Sequence, residues 1–157
     1  MEGPTIQWMK HVTEQKQFEL AGSLIIEEND KYFNRFVKVS PSGETEYYDK
    51  RHAFSMAGED KVFNKGSERV VWNTKGWKIC PQVCYDLRFP VWSRNDSAYD
   101  VLLYTANWPE KRISHWLALT KARAIENQCY VAAVNRTGQD GEGIDYNGNS
   151  VIIDFDG

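Results

Sequence analysis

The chain has 157 residues, of which 41% are hydrophobic, 26% charged and 13% aromatic, and its formal net charge is -3. This length is typical of one domain with a sizeable hydrophobic core, and the slightly acidic balance excludes the usual strongly basic nucleic-acid-binding protein. No apolar run approaches the roughly 18 residues of a membrane span, and the N-terminus lacks the basic and apolar regions of a secretory signal. The odd number of cysteines, three, favours reduced thiols over a disulfide scaffold. We therefore predict one cytoplasmic domain over residues 1–157 that binds neither nucleic acid nor membrane.

The first half of the chain predicts a helix followed by an antiparallel β-meander. Residues 5–16 carry apolar side chains at helical spacing. Strands are predicted over residues 18–27, 32–40 and 44–48. Short polar turns separate them, and adjacent antiparallel strands need only such short connections. Residues 49–66 follow as a long irregular segment, which in a small domain is more often functional than idle.

The second half of the chain predicts alternating strands and helices. Strands are predicted over residues 69–74, 77–83, 99–105, 130–135 and 151–155, and helices over residues 90–95 and 114–127. Lys75 and Gly76 give the first two of these strands a hairpin turn, and residues 137–148 are predicted as a glycine-rich loop. Strand–helix–strand units after an antiparallel first half predict an α/β fold with a mixed sheet.

Cys84 is the strongest candidate for chemistry on position alone. It follows the strand predicted over residues 77–83 and precedes a polar turn and a helix that begins at Pro90. A thiol at such a turn is exposed at the edge of the sheet, and a nearby helix N-terminus favours its thiolate. The alternative is a buried structural cysteine, which is what most unpaired cysteines are.

The histidines and the remaining cysteines do not form a recognisable site. His11, His52 and His115 are scattered without the spacing of a metal site. Cys80 and Cys84 are separated by three residues, whereas redox and zinc pairs are separated by two. We therefore predict no bound metal and no thiol–disulfide function.

The irregular segment after the third strand supplies a second candidate pair, Lys50 and Glu59. A lysine near a reacting carbonyl can stabilise the oxyanion of a tetrahedral intermediate, and a nearby carboxylate can hold that lysine charged. The alternative is a solvated surface turn, because Lys50, Arg51 and His52 form a short basic run.

Five ordered segments make the chain resemble the nitrilase superfamily of carbon–nitrogen hydrolases. They are Tyr-Asp-Lys-Arg-His at 48–52, Val-Cys-Tyr-Asp-Leu-Arg-Phe-Pro at 83–90, Ala-Asn-Trp-Pro at 106–109, Ala-Arg-Ala-Ile-Glu-Asn at 122–127, and Val-Asn-Arg-Thr-Gly at 134–138 with Asp-Gly at 140–141 and Gly-Asn-Ser at 148–150. The first two are close to the omega-amidase branch, which hydrolyses the terminal amide of 2-oxo acid amides such as 2-oxoglutaramate. The resemblance implies an α-β-β-α sandwich of two mixed sheets with outer helices. It also implies a homodimer, a small-molecule amide substrate and no cofactor.

The resemblance implies roles for three catalytic residues. Cys84 corresponds to the nucleophile, which forms a thioester acyl-enzyme that water then hydrolyses. Lys50 corresponds to the lysine that stabilises the tetrahedral intermediate. Glu59 corresponds to the glutamate that positions this lysine and the substrate.

Further positions are implied in substrate binding and in structure. The backbone N–H of Tyr85 completes the oxyanion hole. Trp108 lines the pocket, or alternatively packs in the core. Arg112 binds the substrate carboxylate, or alternatively lies on the surface at a helix start. Four residues are expected to form structural ion pairs: Asp86, Arg88, Arg123 and Glu126.

One member of the family's catalytic set has no counterpart in these residues. The resemblance places the general-base glutamate in a Pro-Glu-Met-like stretch at the end of an early strand, and Glu2, Glu14 and Glu19 do not match it. The family also has further strands after the position of Gly157. We therefore expect a partial hydrolase domain, incomplete at both ends. The alternative is a catalytically silent nitrilase-fold module that serves in binding or assembly.

Overall fold

The computed structural model describes all of residues 1–157, and the chain divides into two units, Met1–Glu68 and Arg69–Gly157. The grouping of both units into a single domain stays a prediction. None of the helices combines the length and the apolar composition that a membrane crossing requires.

The first unit is built around a β-meander, as predicted. Its helices and strands are α1 (Pro4–Lys16), β1 (Leu20–Glu28), β2 (Lys31–Val39), β3 (Thr45–Asp49), α2 (Glu59–Val62) and β4 (Phe63–Asn64). Strands β1, β2 and β3 pair antiparallel, while β4 adds a short parallel pairing with β2. The helix α1 begins at Pro4, whose fixed φ suits the first helical position, and it buries Ile6 and Met9 against Val37 and Val39.

The segment between β3 and residue 66 is less irregular than the sequence predicts. It contains a 3-10 helix over Ser55–Ala57, followed by α2 and β4. These elements are only two to four residues long, so none of them shows a measurable hydrophobic period in the sequence.

The second unit contains a five-stranded mixed sheet. Its helices and strands are β5 (Trp72–Thr74), β6 (Trp77–Val83), α3 (Pro90–Ser93), β7 (Val101–Ala106), α4 (Ile113–Asn127), β8 (Tyr130–Asn135), β9 (Thr137–Gln139), β10 (Asp145–Asn147) and β11 (Val151–Ile153). The strand order is β11-β8-β7-β6-β5, with β6, β7 and β8 parallel and the two edge strands antiparallel. Lys75 and Gly76 both adopt positive φ, which suits the two-residue hairpin between β5 and β6.

The helix α4 covers one face of this sheet. Trp116 and Ala124 on the helix belong to the same buried cluster as sheet residues Leu102, Tyr104 and Val131. Because β6, β7 and β8 are parallel, their carboxyl ends meet at one edge of the sheet. The residues that follow these three strands are therefore brought together.

One predicted element is wrong. Residues 137–148 were expected to be a glycine-rich loop, but they contain the antiparallel hairpin β9–β10. Only Tyr146 of its six strand residues is buried. A hairpin with one buried side chain has no apolar alternation that a sequence pattern could reveal.

Candidate functional site

Cys84 lies at the carboxyl end of β6, where the chain leaves the sheet. It is the first residue of a 3-10 helix over Cys84–Arg88, and its side chain is partly exposed. Its φ is 47°, a left-handed conformation that costs a non-glycine residue about 1–3 kcal/mol and that concentrates at functional sites. Its sulfur lies 3.8 Å from the carbonyl oxygen of Asn107, which follows β7. The thiol is therefore held on a sharp turn at the shared edge of the parallel strands.

Buried contacts fix this turn from both sides. The backbone N–H of Val83 donates to the carboxylate of Asp86 at 3.0 Å, and Asp86 is fully buried. The carbonyl of Leu87 accepts a 2.7 Å hydrogen bond from the guanidinium of Arg123 on α4. The residues before and after Cys84 are thus tied to the turn itself and to the helix.

The four residues expected to form structural ion pairs lie around this turn and on α4. Arg123 pairs with Glu126 at 2.8 Å, as expected. Asp86 accepts from a backbone N–H, and Arg88 contacts the ring nitrogen of His115 at 2.9 Å. The guanidinium of Arg88 also lies 4.9 Å from the centre of the Trp108 ring.

A buried hydrogen-bond network holds β6 two residues before the thiol. The side-chain oxygen of Gln82 accepts from the hydroxyls of Ser93 and Tyr104, at 3.0 and 2.9 Å. The hydroxyl of Tyr99 donates to the Ser93 carbonyl. Burial raises the pKa of both tyrosines, so they remain neutral donors. A satisfied network of this kind fixes one arrangement of the strand.

The three cysteines differ in their surroundings. Cys80 and Cys129 are buried, and burial raises the pKa of Cys80 to about 12 and that of Cys129 to about 11. Both are therefore protonated thiols at neutral pH, and thiols are poor nucleophiles. Cys84 alone among the three is partly exposed, so the alternative of a buried structural cysteine is wrong for Cys84.

Asn135, at the end of β8, joins three segments near this edge. Its side chain accepts from the backbone N–H of Trp108 at 2.7 Å and donates to the carbonyls of Trp108 and Gly148, at 3.0 and 2.7 Å. Its backbone N–H donates to the hydroxyl of Ser150 at 3.0 Å. The sequence marks this residue only as part of the 134–138 segment, to which the resemblance gives no role.

The β9–β10 hairpin of the second unit pairs a tyrosine with a carboxylate. The hydroxyl of Tyr146 donates to Asp140 at 2.7 Å, and the Arg136 guanidinium lies 4.6 Å from the centre of the Tyr146 ring. Burial and the Asp140 carboxylate raise the pKa of Tyr146 to about 12. The backbone N–H of Ile144 and the Tyr146 hydroxyl lower the pKa of Asp140. The sequence marks Asp140 only as part of the fifth segment, without a role, and it does not mark Tyr146, because this stretch is predicted as a loop.

The three residues predicted to bind substrate occupy different environments. Trp108 is 3% exposed, its ring packs 5.6 Å from that of Trp116, and its indole N–H donates to the Arg112 carbonyl at 2.8 Å. Its side chain therefore packs in the core, as the alternative interpretation predicts. Arg112 ends a 3-10 helix over Glu110–Arg112 and is partly buried. Tyr85 directly follows the cysteine, and its ring packs edge-to-face against Phe89.

The lysine cluster lies in the first unit. Lys50 follows β3 directly and is only 5% exposed, so the alternative of a solvated surface turn is wrong for this residue. Its ammonium donates to a side-chain oxygen of Glu59 at 2.6 Å. The same oxygen accepts the backbone N–H of Phe54 at 2.6 Å. The structure therefore brings together the two residues that the sequence selected in this segment.

A second ion pair anchors the strand that leads to Lys50. Arg35 on β2 donates twice to Asp49, at 2.7 and 2.9 Å, and its guanidinium lies 3.8 Å from the centre of the Tyr47 ring. Arg35 is 1% exposed and also pairs with Glu28 at 3.1 Å. Two-pronged arginine–carboxylate pairs restrict geometry strongly, so the end of β3 is held in one position.

The structure holds no group of three or more histidine, cysteine, aspartate or glutamate side chains that could hold a metal ion. The expectation that the protein uses no metal and no cofactor stays a prediction.

The carbon-nitrogen hydrolase family model matches residues 1–157. The chain belongs to the carbon–nitrogen hydrolase family. It is 52% identical over 153 residues to the omega-amidase YafV of Yersinia enterocolitica, covering 98% of this chain and 60% of that protein. It is 36% identical over 151 residues to the 2-oxoglutaramate amidase of Bacillus subtilis (strain 168), covering 94% of this chain and 58% of that protein. The predicted resemblance to the omega-amidase branch of the nitrilase superfamily is thereby confirmed.

A solved structure of the same family supports the fold. XC1258 from Xanthomonas campestris, a CN-hydrolase superfamily protein with an arsenic adduct in its active site, matches with a TM-score of 0.97 at 44% identity. The match covers 99% of this chain and 62% of that one. The predicted α/β nitrilase fold is confirmed. This carbon–nitrogen hydrolase chain spans about 60% of the length of the curated relatives it matches.

Proposed function

We propose that the whole protein to which this chain belongs is a thiol-dependent amidase. It hydrolyses the terminal amide of a small 2-oxo acid amide, such as 2-oxoglutaramate, and releases ammonia. The observation that carries this proposal is the partly exposed Cys84 thiol, held at positive φ where a parallel strand ends. The names of the omega-amidase and 2-oxoglutaramate amidase relatives support the choice of an amide substrate.

The proposed reaction has two stages. The Cys84 sulfur attacks the amide carbon and forms a carbon–sulfur bond, giving a tetrahedral intermediate whose oxygen carries the negative charge. Collapse of this intermediate breaks the carbon–nitrogen bond, and the nitrogen leaves as ammonia after taking up a proton. Water then attacks the resulting thioester, so that the carboxylic acid is released and the thiol is restored.

Lys50 and the backbone N–H of Tyr85 are the proposed stabilisers of the oxyanion. A buried ammonium is effective in this role because little water screens its charge. Glu59 holds the ammonium through the 2.6 Å contact. No residue of 1–157 is assigned the role of general base.

Substrate recognition is proposed for Arg112, with Trp108 in a supporting role. Arg112 offers a guanidinium that can bind the carboxylate of the substrate, and it is partly buried. Trp108 supports that segment, since its indole N–H donates to the Arg112 carbonyl. We also propose that the protein acts in the cytoplasm as a homodimer, which the family resemblance and three cysteines without a disulfide support.

The proposal is tested by ammonia release from 2-oxoglutaramate by the whole protein. Cys84→Ala is expected to lower the rate by at least about 1,000-fold, since removing a nucleophile disables both stages. Cys129→Ala, which alters a buried thiol, is the matched control and is expected to retain most of the activity. Equal rates for Cys84→Ala and the unaltered protein would favour the catalytically silent module. Hydrolysis of an N-carbamoyl amino acid in place of the amide would retain the thiol chemistry and change the substrate class.

A further inference from the structure

The contacts around Lys50 extend beyond its ion pair with Glu59. The residues that follow Lys50 leave β3, form a loop and return to the lysine at Gly66. We name residues 52–65 the lysine loop, and Lys50, Arg51 and Gly66 the neck of that loop. Glu59 lies in the middle of the lysine loop, so its position depends on how the loop is closed.

The backbone of Lys50 is bonded on both sides. Its N–H donates to the carbonyl of Asn34 on β2 at 2.9 Å, which continues the sheet pairing one residue beyond β3. Its carbonyl accepts the N–H of Gly66 at 3.0 Å. The returning end of the lysine loop is therefore hydrogen-bonded to the residue that carries the ammonium.

Only glycine fits at position 66. A Cβ at this position would overlap the carbonyl oxygen of Asp49 and lie 2.8 Å from its carbonyl carbon. These are backbone atoms of β3, which Arg35 also anchors through Asp49, so they cannot move aside as the end of a flexible side chain could. The absence of a side chain is what permits the close approach of the two backbones.

Arg51 completes the neck. Its guanidinium donates to the carbonyl of Gly66 at 3.0 Å, while its backbone N–H donates to the hydroxyl of the buried Tyr48 at 3.2 Å. Both backbone polar groups of Gly66 thus bond to consecutive residues, Lys50 and Arg51. Closing a loop at its ends removes conformations that the loop would otherwise sample.

Resting on the proposed function, we propose that Arg51 and Gly66 are positioning residues, which close the neck so that Glu59 holds the Lys50 ammonium in its working position. A lysine side chain has four rotatable bonds between its Cα and its ammonium. The position of the charge therefore depends on the partner that holds the ammonium. The Glu59 oxygen that binds the ammonium also accepts the Phe54 N–H. Glu59 and Phe54 both belong to the lysine loop.

The test uses the whole protein with Arg51→Met, Arg51→Lys and Gly66→Ala. Gly22→Ala is the matched glycine control, because a Cβ there meets nothing within 4 Å. Each variant is measured in two ways: kcat and KM for 2-oxoglutaramate, and hydrogen–deuterium exchange at the Phe54 and Gly66 amides. Far-UV circular dichroism reports the folded fraction. If Gly66→Ala does not fold, the Arg51 pair alone decides the outcome.

Arg51→Met is expected to lower kcat by about 10-fold or more while KM changes by less than about 2-fold, because small misplacements of a catalytic charge are costly. Exchange at the Phe54 and Gly66 amides is expected to accelerate by about 10-fold or more. Arg51→Lys should retain most of the kcat and most of the protection of these amides from exchange, since an ammonium can still donate to the Gly66 carbonyl. Gly22→Ala should change neither kcat nor the exchange of these amides.

Two results would overturn the proposal. Unchanged exchange in Arg51→Met would mean that the neck does not close the loop, and unchanged exchange in a folded Gly66→Ala would mean the same. Faster exchange with unchanged kcat would mean that the neck does not place the catalytic charge. A failure of the proposed function is recognised separately and beforehand, because the unaltered protein would then release no ammonia.

Discussion

The two units hold their proposed catalytic residues by different means. In the second unit, a short turn between β6 and a 3-10 helix fixes the backbone of Cys84, and its neighbours are bonded into the turn and to α4. In the first unit, Lys50 has the backbone of an ordinary strand end, and a carboxylate nine residues further along the chain fixes its ammonium.

This difference follows from the length of the two side chains. The cysteine sulfur is one bond from Cβ, so the conformation of the backbone determines where it lies. The lysine ammonium is at the end of a flexible stem, so it needs a partner near its tip and a loop that delivers that partner. Distortion of the backbone should therefore displace the Cys84 thiol, and loss of loop closure should displace the Lys50 ammonium.

After the loss of the thiol itself, removing the lysine charge should have the largest effect. Lys50→Gln is expected to lower kcat of the whole protein by about 100- to 1,000-fold, as the loss of an oxyanion stabiliser does elsewhere. Lys38→Gln is the matched control, because Lys38 is equally buried and paired with Glu46 at 2.5 Å. Steady-state kinetics with 2-oxoglutaramate measure both. Similar losses in the two variants would indicate a general effect of removing a buried lysine.

Thiol reactivity should distinguish the cysteines of the second unit. Iodoacetamide at pH 7.5 is expected to alkylate Cys84 at least about 100 times faster than Cys80 or Cys129, because burial and high pKa keep those two as thiols. Peptide mass spectrometry of the native protein gives the three rates, and the same measurement in denaturant should remove the difference. Early labelling of Cys80 in the native protein would contradict the described burial.

The asparagine that joins the strand ends tests how rigid the cysteine edge is. Asn135→Ala is expected to lower the free energy of unfolding by about 2–4 kcal/mol, since it leaves buried backbone groups of Trp108 and Gly148 without their partner. Asn147→Ala, on the exposed side of β10, should change it by less than about 0.5 kcal/mol. Chemical denaturation measures both variants. Equal stabilities would show that Asn135 does not hold this edge together.

The smallest effect is expected at the β9–β10 hairpin and depends on pH. Contacts to the carboxylate lower the folded-state pKa of Asp140, so its contribution is complete above the unfolded value of about 3.9 and is lost as pH falls through the folded value. Asp140→Asn should therefore lower the melting temperature slightly at pH 6, and the difference should shrink towards pH 3. A difference that grows on acidification would reverse the assigned sign.

The sequence predicts the cysteine region better than the lysine region. The bounds of β6 and β8 agree with the predicted 77–83 and 130–135, and the hairpin residues Lys75 and Gly76 mark the start of β6. The position of Cys84 follows from those bounds. The irregular segment suggests Lys50 and Glu59 as a pair and the family resemblance gives them roles, but the sequence pattern does not specify how the long loop returns to bring them into contact.

Three features lay beyond the sequence pattern for physical reasons. The closure at Gly66 depends on a backbone approach to Asp49 that no residue type announces. The role of Asn135 depends on segments far apart in the chain that meet at one side chain. For Trp108, an aromatic residue after a strand is compatible with both a pocket and a core, and only the burial of its ring distinguishes them.

The left-handed backbone at Cys84 also sets a trade-off between stability and activity. The conformation is unfavourable for any residue with a Cβ, and glycine would adopt it without that cost. Cys84→Gly should therefore yield an inactive protein that is more stable than the parent, whereas Cys84→Ala keeps the steric strain of the turn. A cysteine that is more stable as glycine but inactive without its thiol is what the proposed function predicts at this position.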